Sequence, residues 1–299
     1  MAVEIRAPAT PTPAPRRVRS RAPWWAGRTA RLTVLVVGAV MFVFPFYYML
    51  VGSLQVEPRS DIRGAFPNPA NLTLENYRAI NGSISLGTTL LNSGVFAGGV
   101  VLSTVVFGLL AGYALAVLEW RGRDAVFAIV LLVQIVPFQL LMIPLYVLIV
   151  RTYGLADSYL GMILPFAIGP TAVFVFRQFF RTVPRELFDA ARIDGAGELS
   201  VLQHVAMPLV KPALLTVVLL TFIGPWNEFL WPFLITKQQH MQPLAVALAN
   251  YMSNLAGRAA NPYGGILAGA CVLAAPPVVL FALFQRRFTA AELGSGVKG

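Results

Sequence analysis

The sequence has few charged residues and a single cysteine. Charged residues make up 12% of its 299 residues, about half of the ~25% that is typical of soluble domains. Hydrophobic residues make up 57%, and the mean hydropathy is +0.69. This composition indicates an integral membrane protein. Cys271 alone cannot form a disulfide framework or a cysteine-based metal site.

The usual signs of metal, nucleotide and nucleic-acid binding are also missing. His204 and His240 show no metal-ligand spacing, so we expect both to be polar surface residues and no metal to be bound. No Gly-x-x-x-x-Gly-Lys-Ser/Thr phosphate loop is present, so we do not expect the chain itself to bind ATP. The formal net charge is +10. The basic residues lie beside apolar runs and form no stripe with interleaved aromatics, which argues against nucleic acid as a partner.

Six apolar runs are long enough to cross a hydrocarbon core of about 30 Å. None of them shows the amphipathic heptads of a soluble helical bundle. We therefore predict an all-α, polytopic membrane protein with six transmembrane helices. These cover residues 32–54, 88–118, 125–150, 158–180, 212–235 and 262–285.

The segments outside these runs are polar or basic. Residues 1–31 are rich in Pro and Ala and carry seven arginines, which predicts a disordered basic leader. Trp24 and Trp25 near its end are expected at the membrane interface. The first apolar run is longer than the ~7–15 apolar residues of a signal peptide, so we expect it to stay as the first span. Residues 55–85 are polar and contain prolines, which predicts an external loop.

The distribution of Lys and Arg predicts the orientation of the chain. With the N-terminus inside, the inner segments hold 17 of these residues and the outer segments hold 6. Cytoplasmic loops of membrane proteins carry the excess of Lys and Arg. Both termini and residues 184–212 are therefore predicted to be cytoplasmic.

Residues 184–212 form a polar segment between two long apolar runs, with charges of both signs along it. Pro184 suits the first turn of a helix, because the N–H that it lacks would be unpaired there anyway. Gly195 can take the left-handed conformation that ends such a helix. Residues at three- and four-residue spacing predict one helix face, formed by Leu187, Ala190, Ala191 and Asp194.

A second short helix is predicted from about Glu198 to Ala206, ending near Pro208. The segment is thus expected to be a helix–glycine–helix element, with small alanines where another surface could approach closely. On the residues alone, an amphipathic interfacial loop that only connects two spans is the alternative.

The spacing of this segment resembles the Glu-Ala-Ala signature of the membrane subunits of binding-protein-dependent ABC importers. That pattern is Glu-Ala-Ala, three residues, Gly, nine residues and Ile-x-Leu-Pro. Here it reads Asp189-Ala190-Ala191, then Gly195, then Val205-Ala206-Met207-Pro208. The resemblance implies a coupling helix that docks in a cleft of a separate ATP-hydrolysing subunit. The implied docking residues are Asp189, Ala190, Ala191, Asp194, Gly195 and Pro208.

Further short matches to this family follow in order along the chain. The last residues, Gly294 to Gly299, resemble the terminal Gly-x-Val-Lys-Gly of the maltose-type subunit with six spanning helices, which implies the carbohydrate branch. The other matches are Asn76-Tyr77, Asn92-Ser93, Ala111-Gly112-Tyr113-Ala114-Leu115, Ile143-Pro144-Leu145-Tyr146, Arg177-Gln178-Phe179-Phe180 and Trp226-Asn227-Glu228-Phe229-Leu230.

The resemblance implies a transport subunit and not an enzyme. Residues 32–285 would form the permease domain, and residues 286–299 a cytoplasmic tail that reaches into an ATPase dimer. The implied partners are a second permease subunit in a heterodimer, two ATP-binding subunits that use ATP and Mg, an external sugar-binding protein and the lipid bilayer of the bacterial plasma membrane. Two alternatives stay open. One is a permease for another polar solute, such as a glycerol-phosphate-type compound. The other is a membrane-embedded enzyme that acts on a lipid-linked substrate, which would need an acidic cluster at one interface, and the sequence shows no such cluster.

Glu228 is an ionisable residue inside an apolar run, where such residues usually face a cavity or a partner. Gly224 and Pro225 just before it are expected to break the helix and free backbone groups toward a cavity. Together with Trp226 and Asn227 it forms the predicted translocation path, since aromatic, amide and carboxylate groups commonly hold sugars. A structural polar contact near the external interface is the alternative for Glu228.

Overall fold

The computed structural model describes residues 24–59, 61–67, 69–255 and 261–295. Within these ranges the chain is helical, and an isolated antiparallel bridge between Gln55 and Leu72 is the only β pairing. The prediction of an all-α membrane protein is therefore confirmed. Of the described residues, those from Trp24 to Tyr47 belong to one unit, and those from Tyr48 onward belong to a second unit that contains the sites described below.

The described residues contain fourteen α-helices. Their bounds are α1 Trp24–Ser53, α2 Glu75–Ile84, α3 Leu86–Ala116, α4 Arg123–Val133, α5 Phe138–Tyr146, α6 Tyr159–Ile163, α7 Pro170–Thr182, α8 Arg185–Ile193, α9 Glu198–Ser200, α10 Met207–Leu209, α11 Lys211–Asn227, α12 Leu230–Ile235, α13 Leu244–Asn250 and α14 Pro262–Ser295. Turns of π-helix lie at Val147–Thr152, Val201–Ala206 and Tyr251–Leu255, and 3₁₀ turns at Ile62–Ala65, Pro69–Asn71, Leu164–Phe166 and Gln239–Met241.

Three helical stretches are long and apolar enough to cross a membrane. Three pairs of consecutive helices, each bent at a short break, also meet this criterion if each pair is counted as one span. The long stretches are Arg31–Ser53, Leu86–Ala116 and Pro262–Gln285. The pairs are Arg123–Val133 with Phe138–Thr152, Tyr159–Phe166 with Pro170–Thr182, and Glu198–Leu209 with Lys211–Asn227, bent by 92°, 52° and 80°. For the part of the chain that the structure describes, the number of spans is three to six, and the count of six stays a prediction.

Helix α1 begins at Trp24, eight residues before the predicted span. Residues 24–31 are therefore helical, although the sequence analysis assigned them to a disordered leader. The last proline of the leader is Pro23. Residues 24–31 contain no proline, so no missing backbone N–H interrupts helix formation there. Residues 1–23 lie outside the described residues.

Two other predicted segments also contain more helix than expected. The external loop 55–85 includes α2, and the predicted tail is helical as far as Ser295. Ala, Glu and Leu near the end of α14 favour a helix, which explains why it continues beyond the apolar run. Residues 296–299 lie outside the described residues.

The long helix α3 packs closely against α7. A Cβ added at Gly112 would lie 2.6 Å from the Cβ of Phe176 and 3.0 Å from the backbone nitrogen of Arg177. A Cβ added at Gly108 would lie 3.0 Å from the Cβ of Ala172. Small residues at i and i+4 allow such an approach between helices in a membrane. This contact fixes the end of α3 beside the polar segment 184–212.

At the other end of α3, uncharged hydrogen bonds hold the segment that follows α12. The Asn92 amide donates to the carbonyl oxygens of His240 (2.8 Å) and Gln242 (3.0 Å). Its oxygen accepts from the hydroxyl of Tyr159 at 2.7 Å. Buried amides of this kind must be paired, because an unpaired polar group away from water is costly.

Candidate docking surface and translocation path

Helix α8 ends in the glycine turn that the sequence predicts. The Gly195 N–H donates to the carbonyl of Arg192, and the Ala196 N–H donates to the carbonyl of Ala191, both at 3.0 Å. Gly195 has φ +85°. These two bonds and the left-handed glycine form a Schellman motif. The left-handed conformation predicted for Gly195 is confirmed.

The second helix of the segment is longer than predicted. It begins at Glu198 as expected, but it continues through Pro208 to Leu209, where the chain turns by 80° into α11. The N–H of Met207 bonds to the carbonyl of Leu202, five residues back, in a π-helical turn. The wider turn accommodates a proline that would otherwise interrupt the backbone bonds. The helix thus extends three residues beyond Ala206 and ends at Leu209, one residue after Pro208, near which it was predicted to stop.

The inner face of α8 is anchored by aromatic rings. Phe188 is only 2% exposed. The ring of Tyr113, from α3, meets the rings of Phe180 and Phe188 edge-on, with centroid distances of 5.6 and 6.4 Å. Such geometry adds about 0.5–1.5 kcal/mol per aromatic pair beyond the burial itself. Val201 and Ala206 of the second helix belong to the same buried cluster.

A polar network lies beside these rings. Glu198 accepts from Arg192 Nε at 2.8 Å through one carboxylate oxygen and from the hydroxyl of Tyr113 at 2.7 Å through the other. Arg192 Nη1 also donates to Asp189 at 3.0 Å. Hydrogen bonds from Arg192 and then from Tyr113 lower the pKa of Glu198, and the bond to Glu198 raises the pKa of Arg192. The carboxylate and the guanidinium are thus both charged at neutral pH.

This network was not predicted from the sequence. Tyr113 was part of a family resemblance only, and Glu198 was only the predicted start of a helix. The signal available was the alternation of charge along residues 184–212, which could not identify a partner 85 positions away.

The outer face of α8 presents most of the predicted docking residues. Asp189 and Ala190 are exposed on α8, and Asp194 and Gly195 are exposed in the turn that ends it, whereas Ala191 is half-buried against the core. Pro208 is exposed on the second helix. Leu187, which was predicted to lie on the same helix face as Ala190 and Ala191, is 46% exposed. Two large apolar side chains that were not predicted to belong to the surface are also exposed, Ile193 (85%) and Leu199 (63%).

A cavity of about 860 Å³ lies between α8 and the connection from α3 to α4. Its walls carry ion pairs, Arg185 with Glu119 and Arg177 with Asp124, both at 2.8 Å. The Arg177 guanidinium also lies 3.9 Å above the ring of Phe127. Arg177 is buried, and burial of a guanidinium requires such partners.

The three predicted path residues are placed differently from one another. Trp226 is 5% exposed, and its indole N–H donates to the carbonyl of Leu273 at 2.9 Å. Glu228 is half-buried and accepts from the backbone N–H of Trp231 at 3.1 Å, which caps the start of α12. Asn227 is exposed, and its amide donates to the carbonyl of Ile223 at 2.9 Å.

The helix break also differs from the prediction. Gly224 and Pro225 lie inside α11, which continues to Asn227. The chain becomes extended at Glu228, with φ −67° and ψ 125°. A proline within the last turn removes only one backbone bond, and an apolar surrounding favours keeping the others. The break predicted at Gly224 and Pro225 is therefore wrong in position.

A second cavity, of about 460 Å³, lies between α3, α7 and α11. The hydroxyls of Thr104, Thr171 and Thr221 are its polar groups, and no acidic or basic side chain lines it. Thr104 donates to the carbonyl of Phe166 at 3.2 Å. Among the residues that the structure describes, no group of three or more His, Cys, Asp or Glu could hold a metal ion.

Comparisons with known proteins give consistent results. Residues 104–291 match the family model described as binding-protein-dependent transport system inner membrane component. The arabinooligosaccharides transport system permease protein AraQ of Bacillus subtilis is 33% identical over 277 residues, which are 91% of this chain and 96% of AraQ. The trehalose transport system permease protein SugB of Mycobacterium tuberculosis is 34% identical, over 93% of this chain and 98% of SugB.

The sn-glycerol-3-phosphate transport system permease protein UgpE of Rhizobium meliloti is 32% identical, over 85% of this chain and 92% of UgpE. Among solved structures, a bacterial ABC transporter involved in the import of the acidic polysaccharide alginate has a chain with the same fold. The TM-score is 0.76 at 23% identity, and the alignment covers 92% of this chain and 99% of that chain.

Proposed function

The chain belongs to the family of binding-protein-dependent transport system inner membrane components, and from this premise we propose that it forms the translocation path for a sugar in an ATP-driven importer. The family is one of transport permease subunits and not of enzymes, and it implies a complex with a partner permease, an ATPase and a binding protein. The observation that supports coupling of transport to ATP hydrolysis is the polar segment 184–212, which lies between two apolar helices.

The proposed complex contains one copy of this chain, a second and different permease subunit, and two ATP-binding subunits that use ATP and Mg. An external binding protein delivers the solute. The chain lies in the bacterial plasma membrane with both termini in the cytoplasm. The excess of Lys and Arg in the inner segments supports this orientation.

The outer face of α8 is the proposed docking surface for the ATPase. Asp189, Ala190, Asp194 and Gly195 lie on it, with Pro208 on the adjoining helix. The exposed side chain of Ile193 is the apolar anchor of this surface, since a large apolar side chain at a contact centre commonly carries much of the binding energy. Ala191 contributes from the inner side, where it packs α8 against the core.

The proposed solute is an uncharged sugar, and the glycerol-phosphate alternative is less favoured. Lys and Arg are absent from the apolar stretches 86–116, 124–150, 152–176, 212–236 and 262–285. The one basic residue inside a predicted span, Arg177, is buried and already paired with Asp124. An anionic phosphate would lack a cationic partner from this chain there, and a charge without a partner is costly away from water. Relatives named for arabinooligosaccharides and for trehalose support the same choice.

Of the three residues predicted to line the translocation path, Asn227 is the one that we propose as the main contact with the solute. Its side chain is exposed beside the helix break. Glu228 contributes through the free oxygen of a carboxylate whose other oxygen caps α12. Trp226 is occupied by its contact with Leu273, which favours a packing role for it.

Reconstitution of the purified complex in liposomes tests this function. The complex, isolated through a tag on this chain, should contain an ATPase subunit. In the presence of its binding protein it should take up a neutral oligosaccharide in an ATP-dependent way. Uptake of sn-glycerol 3-phosphate with no uptake of oligosaccharides would reverse the choice of solute. Isolation without any ATPase would contradict the importer assignment itself.

The orientation has a separate test. In a Cys271→Ser background, Ser200→Cys should react with a membrane-impermeant thiol reagent only after the cells are permeabilised. Gln239→Cys, at an exposed position between α12 and α13, should react in intact cells. The reverse pattern would place the docking surface outside the cell.

A further inference from the structure

Three polar side chains from three different helices meet under the docking surface. Tyr113 comes from the end of α3, Arg192 from α8 and Glu198 from α9. Glu198 accepts from Arg192 Nε at 2.8 Å and Nη2 at 3.3 Å, and from Tyr113 at 2.7 Å. We call these three residues the polar joint. Both oxygens of the Glu198 carboxylate are thereby engaged.

The polar joint differs in kind from the other contacts of α8 with the core. The contact of Phe188 with Tyr113 is an edge-on aromatic one, which has a preferred geometry. Its other buried neighbours are apolar, and apolar attraction has little directional preference. A guanidinium that grips a carboxylate with two nitrogens fixes both distance and angle. The joint therefore determines how α8 is oriented with respect to α3.

The joint also connects α8 to two apolar helices at once. Glu198 begins the helix that runs to Leu209 and turns into α11. Tyr113 lies in α3, one residue after the close approach of Gly112 to α7. Side chains of α3 and α11 share one buried cluster. A displacement of Arg192 would therefore move Glu198 and Tyr113 through their hydrogen bonds, and with them the helices α11 and α3. Apolar contacts alone would allow the helices to shift relative to each other.

Open space beside the joint allows its side chains to rearrange. Arg192, Glu198 and Asp189 line the cavity of about 860 Å³, together with Arg185. A second arrangement of the charges is thus sterically possible, while the packed rings on the other side resist gradual deformation. Coupled elements of this kind commonly have two discrete arrangements.

We propose that Tyr113, Arg192 and Glu198 are positioning residues that hold the docking helix α8 in register with α3 and α11, so that ATP hydrolysis by the partner and movement of the membrane helices stay coupled. This inference rests on the proposed function, because it presumes that α8 docks on an ATPase. The lowered pKa of Glu198 agrees with it, since the carboxylate stays charged throughout the physiological range.

The test compares Tyr113→Phe with the wild-type complex in liposomes. The substitution removes one hydroxyl and keeps the ring that packs on Phe180 and Phe188. We expect unchanged assembly and unchanged basal ATP hydrolysis. Stimulation by loaded binding protein should fall about tenfold, as expected for the loss of one charge-assisted hydrogen bond. The number of solute molecules imported per ATP should fall as well.

Two further variants make the test specific. Glu198→Gln should have the same effect, and Tyr113→Phe added to it should change little, because the hydroxyl acts through that carboxylate. Glu119→Gln is the matched control, since it also breaks an ion pair of α8, with Arg185, but between largely exposed side chains that do not reach α3. Exposed pairs contribute little, so it should behave as wild type.

Normal stimulation and a normal import ratio in Tyr113→Phe and Glu198→Gln would overturn the proposal. A lower yield of complex with unchanged transport per complex would overturn it too, because the joint would then be only structural. A wild-type complex without ATPase subunit or uptake would instead contradict the proposed function, so the two failures are distinguishable.

Discussion

The segment from Pro184 to Val210 and the segment from Gly224 to Thr236 carry the same sequence signals but fold differently. Each has a glycine, a proline and an acidic residue at a helix end. In the first, Gly195 ends the helix and charges join the neighbouring elements. In the second, the glycine stays helical, and indole N–H groups that donate to backbone carbonyls join the neighbouring elements. A glycine ends a helix where polar surroundings satisfy the released backbone groups, and an apolar surrounding keeps the helix intact.

The largest expected effect concerns packing in the second segment. Trp226→Ala removes a buried indole and its hydrogen bond to Leu273. Loss of a large buried side chain typically costs about 3–5 kcal/mol. We expect a much lower yield of assembled complex with transport per complex unchanged, measured by uptake normalised to purified complex. Wild-type yield with altered sugar selectivity would place Trp226 in the path.

The two glycines offer a direct test of the comparison. Gly195→Val places a β-branched residue at φ +85°, which costs roughly 1–2 kcal/mol or more although no atom obstructs the new Cβ. We expect assembly at reduced stability and loss of ATP hydrolysis stimulated by loaded binding protein. Gly224→Val is the control, because that glycine is helical and also has open space around it.

Near-normal stimulation is expected for Gly224→Val, measured in the same assay. Equal damage from both substitutions would show that the conformation of Gly195 is irrelevant. Normal stimulated hydrolysis in Gly195→Val would remove the segment from the coupling mechanism.

Asn227→Ala separates a path role from a structural one. The side chain is exposed, and its hydrogen bond to the carbonyl of Ile223 lies within its own helix. We therefore expect normal yield and a several-fold change in uptake or sugar preference. Thr216→Ala serves as control, because Thr216 is bonded in the same way to Pro212, near the other end of α11. Unchanged uptake in Asn227→Ala would withdraw the path assignment.

The smallest expected effect is a pH dependence at the joint. Because the folded pKa of Glu198 lies below its ordinary value of 4.5, its contribution to stability is present above about pH 4.5 and is lost as the pH falls through the folded pKa. The melting temperature of Glu198→Gln should therefore be lower than that of wild type at pH 7, and the difference should shrink below about pH 4.5. A constant difference down to pH 3 would contradict the ion-pair interpretation.

Local signals in the sequence were sufficient for the elements that depend on local bonds. The left-handed turn at Gly195 and the start of the second helix at Glu198 followed from residue type and spacing. Contacts between distant parts of the chain were not accessible in this way. The bond from Tyr113 to Glu198 and the bond from Trp226 to Leu273 join residues 85 and 47 positions apart, and only the packing of the helices brings them together.

The polar composition of residues 55–85 also led to an incorrect prediction of secondary structure. Residues 55–85 looked like a loop, yet they contain α2, whose Asn76 amide bonds to the carbonyls of Ser53 (3.0 Å) and Gln55 (2.7 Å). Such a helix is stabilised by tertiary hydrogen bonds more than by its own propensity, and short polar sequences do not reveal these bonds.

Labelling of Ile193→Cys tests the central claim most directly. Ile193 is 85% exposed on the outer face of α8, and in a Cys271→Ser background it would be the only thiol of this chain. If α8 docks on the ATPase, a thiol reagent should modify it rapidly in the permease alone and much more slowly in the complex. Gln239→Cys should react equally in both. Equal labelling of Ile193→Cys with and without the ATPase, in a complex that hydrolyses ATP normally, would contradict the account.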